Sequence, residues 1–487
     1  MSEPVDYDLV ILGGGAAAFA AITEASSRGL STAMVNTGLP LGGTCVNVGC
    51  VPSKHLLAMA ESAFEPTANP FDAVEYGEDE PSVDWDVALD EMDRLVEGFR
   101  QENYVDVAEH FDADVYEGYG QFKDDTTIEV VEGSDEGARI TGENALVATG
   151  SSPQAPPIDG LDDVEYENSE TILERNDLPE RIVVIGGGYI ALEWGQILHR
   201  VGVDVTILQR SDRVLSGMEG QLGREIQRTF REEGIEVVTG NDFERVRSAT
   251  ADGGSTAVES EAGVVVETTV EGAPRRFTAD DLFVATGVQP NSEGIGLDAV
   301  GVETDERGAV VVDEHFRTTN PEIYAAGDVI GEPELETVAA KEGNHAVKNA
   351  FADEGATIDY DAVPAVVFTS PEVATVGTTE AEYMAEHGTC ACRTVRMDEV
   401  PKAKAVKDTR GLVQVVKHHE TDEIVGVHMV GPRAADMIPE ATLAVKFGLT
   451  VDDIIDTIHP FPTFSEAFKH ACQAFKRDTS AMSCCVE

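Results

Sequence analysis

The chain has 487 residues, which is enough for about three domains of ordinary size. Its 34 Lys and Arg residues face 91 Asp and Glu residues, a formal net charge of −57 that excludes ordinary nucleic-acid binding and disfavours anionic membrane surfaces. With 42% apolar residues the chain is still expected to fold, and its acidity predicts a halophilic protein whose self-repulsion is screened by salt.

No stretch approaches the ~20 apolar residues of a membrane span, so no membrane partner is expected. The N-terminus has neither a basic region nor an apolar signal core, and we expect a cytoplasmic protein. Seven cysteines, an odd number, favour thiol chemistry in a reducing compartment over a secreted disulfide framework.

The first elements along the chain form a βαβ unit. An apolar strand is predicted over 7–12 and an Ala-rich helix over 16–27, and a second strand follows. Gly13, Gly15 and Ala18 between them form a G-x-G-x-x-A fingerprint, in which glycine lets the backbone approach a pyrophosphate at a helix N-terminus. Alone, this motif is a weak signal.

Two cysteines follow at the predicted start of a helix. Cys45 and Cys50 are separated by four residues and flanked by Gly42, Gly43 and Gly49, which permit close packing against a flat ligand. A helix N-terminus lowers the pKa of a thiol and favours the thiolate. A zinc site would need further ligands, which the neighbouring sequence does not supply. The better hypothesis is a redox-active pair beside a flavin.

An acidic, proline-containing stretch over 64–83 is interpreted as a solvated insertion. Apolar residues then recur at mostly helical spacing, which predicts one long helix over 87–111. Its predicted core-facing residues are Val87, Met92, Leu95, Phe99, Val105 and Phe111.

The dinucleotide fingerprint recurs about 170 positions later. A strand is predicted over 181–185, then Gly186, Gly188 and Ala191, then a helix to about residue 201 and a further strand. Two such units are far more specific than one and imply two dinucleotides. A duplication that binds nothing is the alternative.

The end of the strand after the second fingerprint predicts which nicotinamide cofactor binds. A carboxylate there would accept from the ribose of NAD, whereas this chain has Gln209 and Arg210, which favours NADPH. At the first unit the corresponding position is Asn36, an unusual contact for an adenosine ribose.

Two strands end alike, and they suggest where domains meet. The stretches 145–150 and 282–287 both run into Ala-Thr-Gly, and each is followed by a loop containing proline, Pro153 or Pro290. The predicted fold class is α/β, with two Rossmann-like dinucleotide-binding domains and a C-terminal α+β dimerisation domain. The predicted domains are 1–152 with 288–355, then 153–287, then 356–487, the last carrying the tail with adjacent cysteines.

The block 42–54, both fingerprints, both Ala-Thr-Gly strands and the strand end Gly327-Asp328 resemble the flavin-dependent pyridine nucleotide-disulfide oxidoreductase family. The resemblance covers nearly the whole chain. It implies that the first fingerprint binds FAD, that the second binds NADPH, and that the third region forms a homodimer interface.

The same resemblance implies individual roles. Cys50 would lie nearest the flavin, Cys45 would be the exchange thiol, Lys54 and Glu193 would pair near the flavin, and Tyr189 would cover the nicotinamide pocket. The positions it assigns to the two cofactors are Gly13, Gly15, Ala17, Ala18, Gly43, Thr44, Lys54, Gly120, Thr149, Gly150, Asp328, Glu336, Gly186, Gly188, Tyr189, Ala191, Gln209, Arg210 and Gly287.

A departure from the family pattern bears on the substrate. Members that reduce disulfides carry a histidine before Pro-Thr-x-x-Glu, and the matching residue here is Phe461, which cannot transfer a proton. His459 lies two positions earlier and is the alternative proton donor. Loss of this acid points away from disulfide substrates.

Cys484 and Cys485 lie near the C-terminus, where adjacent thiols are rarely structural because a disulfide between neighbours is strained. Thiolates bind soft cations, and Hg(II) fits this chemistry. The chain therefore resembles the mercuric reductase branch of the family. In that branch the tail thiols would pass Hg(II) to Cys45 and Cys50 of the partner subunit, so the predicted metal-binding residues are all four cysteines and the active sites are shared between subunits.

That branch uses two tyrosines near the metal. One matches Tyr104, and the other falls on Phe461, so its hydroxyl is missing here. The N-terminal metal-binding domain that often precedes the family core is not expected. Two alternatives stay open, a disulfide reductase of the thioredoxin or lipoamide type and a non-catalytic redox-sensing flavoprotein. Cys472 is predicted to be a buried small hydrophobe, and Cys390 and Cys392 have little predicted role.

Overall fold

The computed structural model describes residues 5–74, 81–249, 263–352, 354–389 and 391–478. Contacts divide the chain into two compact units. The first contains the residues up to His55 together with Asp86–Gln154 and Gly287–Ile358, and the second contains Leu56–Trp85, Ala155–Thr286 and the chain from Asp359 onwards. The predicted α/β class is confirmed, whereas the division into three domains stays a prediction.

Helices and strands alternate along most of the chain, with short 3-10 turns between some of them. The first part contains β1 (Val5–Leu12), α1 (Ala16–Ser27), β2 (Thr32–Asn36), α2 (Gly43–Asn47), α3 (Cys50–Phe64), α4 (Trp85–Arg100), a π-helical segment (Gln101–Val105), α5 (Asp106–His110), β3 (Asp114–Glu117), β4 (Tyr119–Asp124), β5 (Thr127–Glu132), β6 (Arg139–Val147) and β7 (Ser151–Pro153). The middle part contains β8 (Arg181–Ile185), α6 (Tyr189–Arg200), β9 (Asp204–Leu208), α7 (Gly220–Glu233), β10 (Glu236–Val238), β11 (Asn241–Ser248), β12 (Val264–Val270), β13 (Ala273–Ala279), β14 (Asp281–Val284) and β15 (Val288–Pro290). The last part contains β16 (Ile323–Ala325), α8 (Glu336–Ala352), β17 (Ala365–Val367), β18 (Glu372–Gly377), α9 (Glu380–His387), β19 (Cys392–Arg396), α10 (Pro401–Val406), β20 (Leu412–Lys417), β21 (Ile424–Gly431), α11 (Ala434–Lys446), α12 (Val451–Asp456) and α13 (Glu466–Gln473).

A seven-stranded sheet forms the centre of the first unit. Its order is β3-β2-β1-β6-β5-β4, with β16 paired to β6, and β1 runs parallel to both β2 and β6. Leu9 and Ile11 face α1 and α8, whereas Val10 and Leu12 pack into a second core on the other face of the sheet. Burial on both faces explains why the second half of β1, Leu9 to Leu12, is an uninterrupted apolar run. Because parallel strands end at one edge, the turns after β1, β6 and β16 lie together.

The strands that link the two halves of the first unit also pair. β7 runs antiparallel to β15, with Ser151 opposite Pro290 and Pro153 opposite Val288. This ribbon lies at the two proline-containing loops that the sequence indicated as crossovers.

Within its described residues, the second unit contains three sheets. Strands β10-β9-β8-β14 form a parallel sheet, β11-β12-β13 form an antiparallel one, and β17-β18-β21-β20-β19 form a five-stranded sheet. Helices α11 and α13 pack against the five-stranded sheet and share its core. Cys472 on α13 is fully buried there, as predicted.

The predicted long helix over 87–111 is interrupted by a π-helical segment, and its predicted face is partly wrong. Val87 and Phe99 are exposed, because the buried face of α4 is offset from them around the helix. That face consists of Trp85, Ala88, Leu89, Met92 and Val96, at helical spacing. Among the described residues, no helix is both long and apolar enough to cross a membrane.

Candidate active site

The two cysteines of the predicted redox pair lie on consecutive helices of the first unit. Cys45 is in α2 and is half-buried, whereas Cys50 is the first residue of α3 and is exposed. The turn between them closes tightly, since a Cβ on Gly49 would lie 2.8 Å from the carbonyl oxygen of Thr44. Only glycine therefore fits at that position without a shift of the backbone. The thiols of Cys45 and Cys50 interact with each other.

The expected lowering of the pKa does not hold for Cys45. The hydrogen bond with Cys50, burial and the charge of Glu336 raise the pKa of the Cys45 thiol. The physical reason is that Cys45 does not open the long helix but lies in the five-residue helix before it, beside a carboxylate.

Tyr104 lies beside this thiol. It belongs to the π-helical segment, and its hydroxyl donates to Oε1 of Glu336 at 3.3 Å. Its ring meets Phe19 edge-on, with centroids 4.8 Å apart, and burial together with the charge of Glu336 raises its pKa. The structure thus brings together Cys45, Cys50, Tyr104 and Glu336.

No local sequence pattern predicted that Glu336 would lie beside the Cys45 thiol. It was expected among the cofactor-binding positions, and it lies in the first turn of α8, where acids are common in any helix. The pKa of Glu336 is raised, because burial outweighs the opposing interactions with Cys45 and Tyr104. No pattern near the cysteines could have indicated this neighbour.

The two fingerprint turns have the form that a dinucleotide needs. Gly15 and Gly188 are the residues that precede α1 and α6, each with extended backbone. A Cβ on Gly188 would meet nothing within 4 Å, and one on Gly15 would meet only Gly43, at 3.8 Å. The space over both helix N-termini is therefore open to a phosphate group, which fits FAD at the first turn and a nicotinamide cofactor at the second.

The other predicted FAD positions lie around the same sheet edge. Asp328 accepts a hydrogen bond from the hydroxyl of Ser151 at 2.7 Å, and burial raises the pKa of its carboxyl. The hydroxyl of Thr149 donates to the carbonyl oxygen of Asn291 at 2.7 Å. Gly120 is buried, and a Cβ there would lie 2.6 Å from Leu12. The remaining predicted positions in this unit, Gly13, Ala17, Ala18, Gly43, Thr44, Gly150 and Gly287, lie in the turns and helices that follow the parallel strands or beside β15.

Lys54 and Glu193 belong to different units, and their pairing stays a prediction. Lys54 Nζ lies 3.4 Å from the hydroxyl of Ser53. Glu193 is only 3% exposed, and its Oε1 accepts from the backbone amide of Phe368 at 2.9 Å. One turn along α6, Gln196 holds the backbone of Ser370 with both ends of its amide, a contact that the sequence did not indicate.

The predicted nicotinamide residues lie around the start of α6 and the end of β9. Tyr189 is the first residue of α6 and is 41% exposed, while Ala191 is buried. Gln209 lies against Gly187, since a Cβ on Gly187 would lie 2.9 Å from the Gln209 side chain. Arg210 is exposed. Gly186 directly follows β8, as the fingerprint requires.

Phe461 is exposed and His459 is already engaged. The Phe461 side chain is 49% exposed. His459 Nδ1 lies 3.0 Å from the carbonyl oxygen of Thr457, and Nε2 lies 2.9 Å from Oε1 of Glu440. Since both partners accept, both ring nitrogens donate, and the hydrogen bond to Glu440 raises the pKa of His459. Both ring nitrogens of His459 are thus engaged within the chain, and its role as the alternative proton donor stays a prediction.

The predicted metal site is described only in part. Cys484 and Cys485 lie outside the described residues, as does Cys390. Within the described part of the chain, no three or more His, Cys, Asp or Glu side chains form a group suited to a metal ion. The pair Cys45 and Cys50 therefore offers two thiols, and further ligands would have to come from elsewhere.

Residues 7–343 match the family model described as pyridine nucleotide-disulphide oxidoreductase, and residues 363–472 match the dimerisation domain of that family. The chain is 41% identical over 481 residues to a mercuric reductase of Streptomyces lividans, covering 99% of this chain and 98% of that one. It is 38% identical over 481 residues to a mercuric reductase of Staphylococcus aureus, covering 99% of this chain and 84% of that one.

Among solved structures, the HOCl-induced flavoprotein disulfide reductase RclA from Escherichia coli is similar, with a TM-score of 0.81 at 24% identity. That alignment covers 96% of this chain and 99% of the other. At this level of identity the likeness extends to the fold alone.

Proposed function

The chain belongs to the pyridine nucleotide-disulphide oxidoreductase family, and on that premise we propose that it reduces Hg(II) to Hg(0) with electrons from NADPH. Its cofactors are FAD and NADPH. The observation that carries the proposal is the Cys45–Cys50 pair beside Tyr104, in a chain that also contains Cys484 and Cys485 and has no acid at position 461.

When bound, FAD supplies the two-electron chemistry that links NADPH to the thiol pair. The residues of the chain bind the cofactor and the cation. Gly15 would let FAD approach the start of α1, and Asp328 would hold the polar chain of FAD. Cys45 and Cys50 would bind Hg(II) through sulfur. Tyr104, whose ring packs edge-on against Phe19, would lie beside the Cys45 thiol.

The proton balance explains why a phenylalanine at position 461 is tolerated. Reducing a disulfide to two thiols consumes two electrons and two protons, so a positioned acid accelerates it. Reducing Hg(II) to Hg(0) consumes two electrons and no proton. A chain without that acid is therefore better suited to the cation than to a disulfide.

The function is tested by comparing substrates on one preparation of purified, FAD-loaded protein. We expect rapid NADPH oxidation with Hg(II) and slow oxidation with lipoamide, oxidised glutathione or oxidised thioredoxin. Faster turnover with any of these disulfides would favour the disulfide reductase alternative instead. Bound FAD with no turnover of either class would favour the redox-sensing one.

We infer that two copies of the chain share their active sites, with the tail thiols of one serving the thiol pair of the other. Supporting this, the matched dimerisation domain carries exposed apolar side chains that a second copy would cover. These are Leu443, Phe447, Ile458 and Phe461. The predicted division into three domains, and the cytoplasmic location that suits free thiols, belong to the same proposal.

Replacing Phe461 with tyrosine restores the hydroxyl that the branch usually has near the metal. We expect Hg(II) turnover to rise several-fold, up to about tenfold, because the hydroxyl oxygen adds one polar contact at the cation site. The measurement is kcat with saturating NADPH. Phe71→Tyr, at an exposed phenylalanine outside the dimerisation domain, is the control and should leave kcat unchanged. An unchanged kcat in Phe461→Tyr would show that this position does not reach the site.

Replacing Arg210 with alanine tests the preference for NADPH. An exposed guanidinium at the end of β9 can pair with a 2′-phosphate, so kcat/KM for NADPH should fall about 10- to 100-fold while that for NADH stays the same. Arg275→Ala, an exposed arginine of the same unit, should change neither value. Equal losses with both nucleotides would refute the assignment.

The net charge of −57 leads us to propose that the folded state requires high salt. We expect circular dichroism to show a folded protein at about 2 M KCl and progressive unfolding below about 0.1 M, where the Debye length exceeds ~10 Å. Sucrose at matched osmolality should not restore the fold. Full activity in millimolar salt would be inconsistent with a halophilic protein.

A further inference from the structure

A buried carboxylate on α8 holds the turn that follows β16. Oε2 of Glu342 accepts a hydrogen bond from the backbone amide of Gly327 at 2.7 Å, and Glu342 is only 2% exposed. A glutamate is seldom buried to this extent unless its oxygens have partners within the protein. The partner here is the residue that immediately precedes Asp328, which would hold the polar chain of FAD.

The turn at Gly327 needs such a contact. Gly327 has φ +79°, a conformation that glycine adopts at little cost and that other residues rarely adopt. The same freedom means that glycine by itself does not fix the direction in which the next residue points. The Asp328 side chain is held by the hydroxyl of Ser151, at 2.7 Å, and the backbone before it is held by Glu342. Asp328 is therefore fixed from two sides.

The helix that carries Glu342 is itself fixed against α1. A Cβ on Gly343 would overlap the carbonyl oxygen of Ala17, so α8 and α1 touch backbone to backbone at the residue after Glu342. Ala17 lies in the first turn of α1, directly after the fingerprint turn. A Cβ on Gly327 would also lie 3.5 Å from the Cβ of Ala17. Glu342 thus fixes the turn after β16 relative to the turn after β1, and FAD would contact both turns.

We propose that Glu342 is a positioning residue for FAD, whose hydrogen bond to the amide of Gly327 orients Asp328 relative to the fingerprint turn at Gly15. This inference rests on the proposed role of Asp328 in holding the polar chain of FAD. The reach of the side chain is what matters, because the oxygen of a glutamine can accept the same hydrogen bond from a backbone amide. Aspartate keeps the carboxylate but is one methylene too short to make the contact.

The test measures how fast FAD leaves the protein. Each variant is purified with FAD bound, and release of FAD after dilution is followed by the rise in flavin fluorescence. We expect Glu342→Asp to release FAD about 10- to 100-fold faster than the wild type, because the amide of Gly327 loses its partner and Asp328 is no longer held in place. Glu342→Gln should release FAD within about threefold of the wild-type rate.

A double-mutant cycle shows whether Glu342 acts through Asp328. Asp328→Asn alone should accelerate FAD release, which tests the role on which the inference rests. In the Asp328→Asn background, Glu342→Asp should change the rate by less than about threefold, since the residue through which Glu342 acts is already impaired.

Asn349→Ala separates a positioning role from a general structural one. Asn349 is another buried polar residue of α8, 3% exposed, and its side chain donates to the backbone oxygens of His315 and Ala356 at 3.0 and 2.9 Å. Its replacement should lower the unfolding temperature, as Glu342→Asp does, but should leave the rate of FAD release unchanged. Circular dichroism of each variant reports that it is folded.

An unchanged rate in Glu342→Asp, or equal acceleration in Glu342→Gln and Glu342→Asp, would overturn the inference. Additive effects with Asp328→Asn, an unchanged rate in Asp328→Asn, or equal acceleration by Asn349→Ala would overturn it as well. Hg(II)-dependent NADPH oxidation by the wild-type protein is measured in parallel. Its absence would reject the proposed function, while the rates of FAD release would still decide the role of Glu342.

Discussion

Replacing Cys50 with serine is expected to reduce Hg(II)-dependent NADPH oxidation by about three orders of magnitude or more. A hydroxyl can neither form a disulfide with Cys45 nor bind a soft cation well. Cys45→Ser should have an effect of the same size, because the two sulfurs act as a unit and neither can replace the other. The measurement is the initial rate of NADPH oxidation with Hg(II), on protein loaded with FAD.

The fold should survive these changes. Cys50 is exposed at the first residue of α3 and Cys45 is half-buried, so serine removes little packing at either position. Cys392→Ser, at a half-buried cysteine of the second unit, is the matched control and should keep full activity. If Cys50→Ser retained activity within about tenfold of the wild type, the thiol pair would not be the site of reduction.

Replacing Cys484 and Cys485 together with alanine is expected to lower turnover about 10- to 100-fold when Hg(II) is supplied as a complex with excess competing thiol. The thiols of Cys484 and Cys485 would displace the competing thiols from Hg(II) and transfer the cation to Cys45 and Cys50 at high effective concentration. Without the tail thiols, Cys45 and Cys50 must extract Hg(II) directly from the complex.

The informative comparison is between turnover with Hg(II) supplied as the thiol complex and turnover with Hg(II) supplied without competing thiols. When Hg(II) is supplied without competing thiols, the loss should be much smaller, since transfer by the tail is then less necessary. Ser483→Ala, a neighbouring change that keeps both thiols, should behave as the wild type. Equal losses under both conditions would argue that the tail cysteines support the structure rather than transfer metal.

The elements that carry a local signal were predicted well. The glycine turn and apolar run at the first fingerprint give a strand, a tight turn and a helix, and the predicted helix over 16–27 is observed as Ala16–Ser27. The same holds at the second fingerprint, where Arg181–Ile185 forms a strand and α6 follows Gly188. These signals are local because backbone freedom at glycine and strand burial are decided within about ten residues.

Features that depend on distant contacts were not predicted. Helical spacing alone placed Val87 and Phe99 in the core, but which face of α4 is buried depends on the elements packed against it. The raised pKa of Cys45 follows partly from Glu336, which belongs to a helix in the last part of the chain. That carboxylate lies in the first turn of α8, far along the chain from the thiol.

The central claim is that electrons from NADPH end on mercury, and elemental mercury released per NADPH consumed tests it most directly. Purified protein with FAD, NADPH and Hg(II) is sparged with inert gas, and the Hg(0) carried off is quantified against the fall in NADPH absorbance. We predict about one Hg(0) per NADPH, since each is a two-electron change. NADPH oxidation without Hg(0), or with thiols accumulating in its place, would contradict that claim.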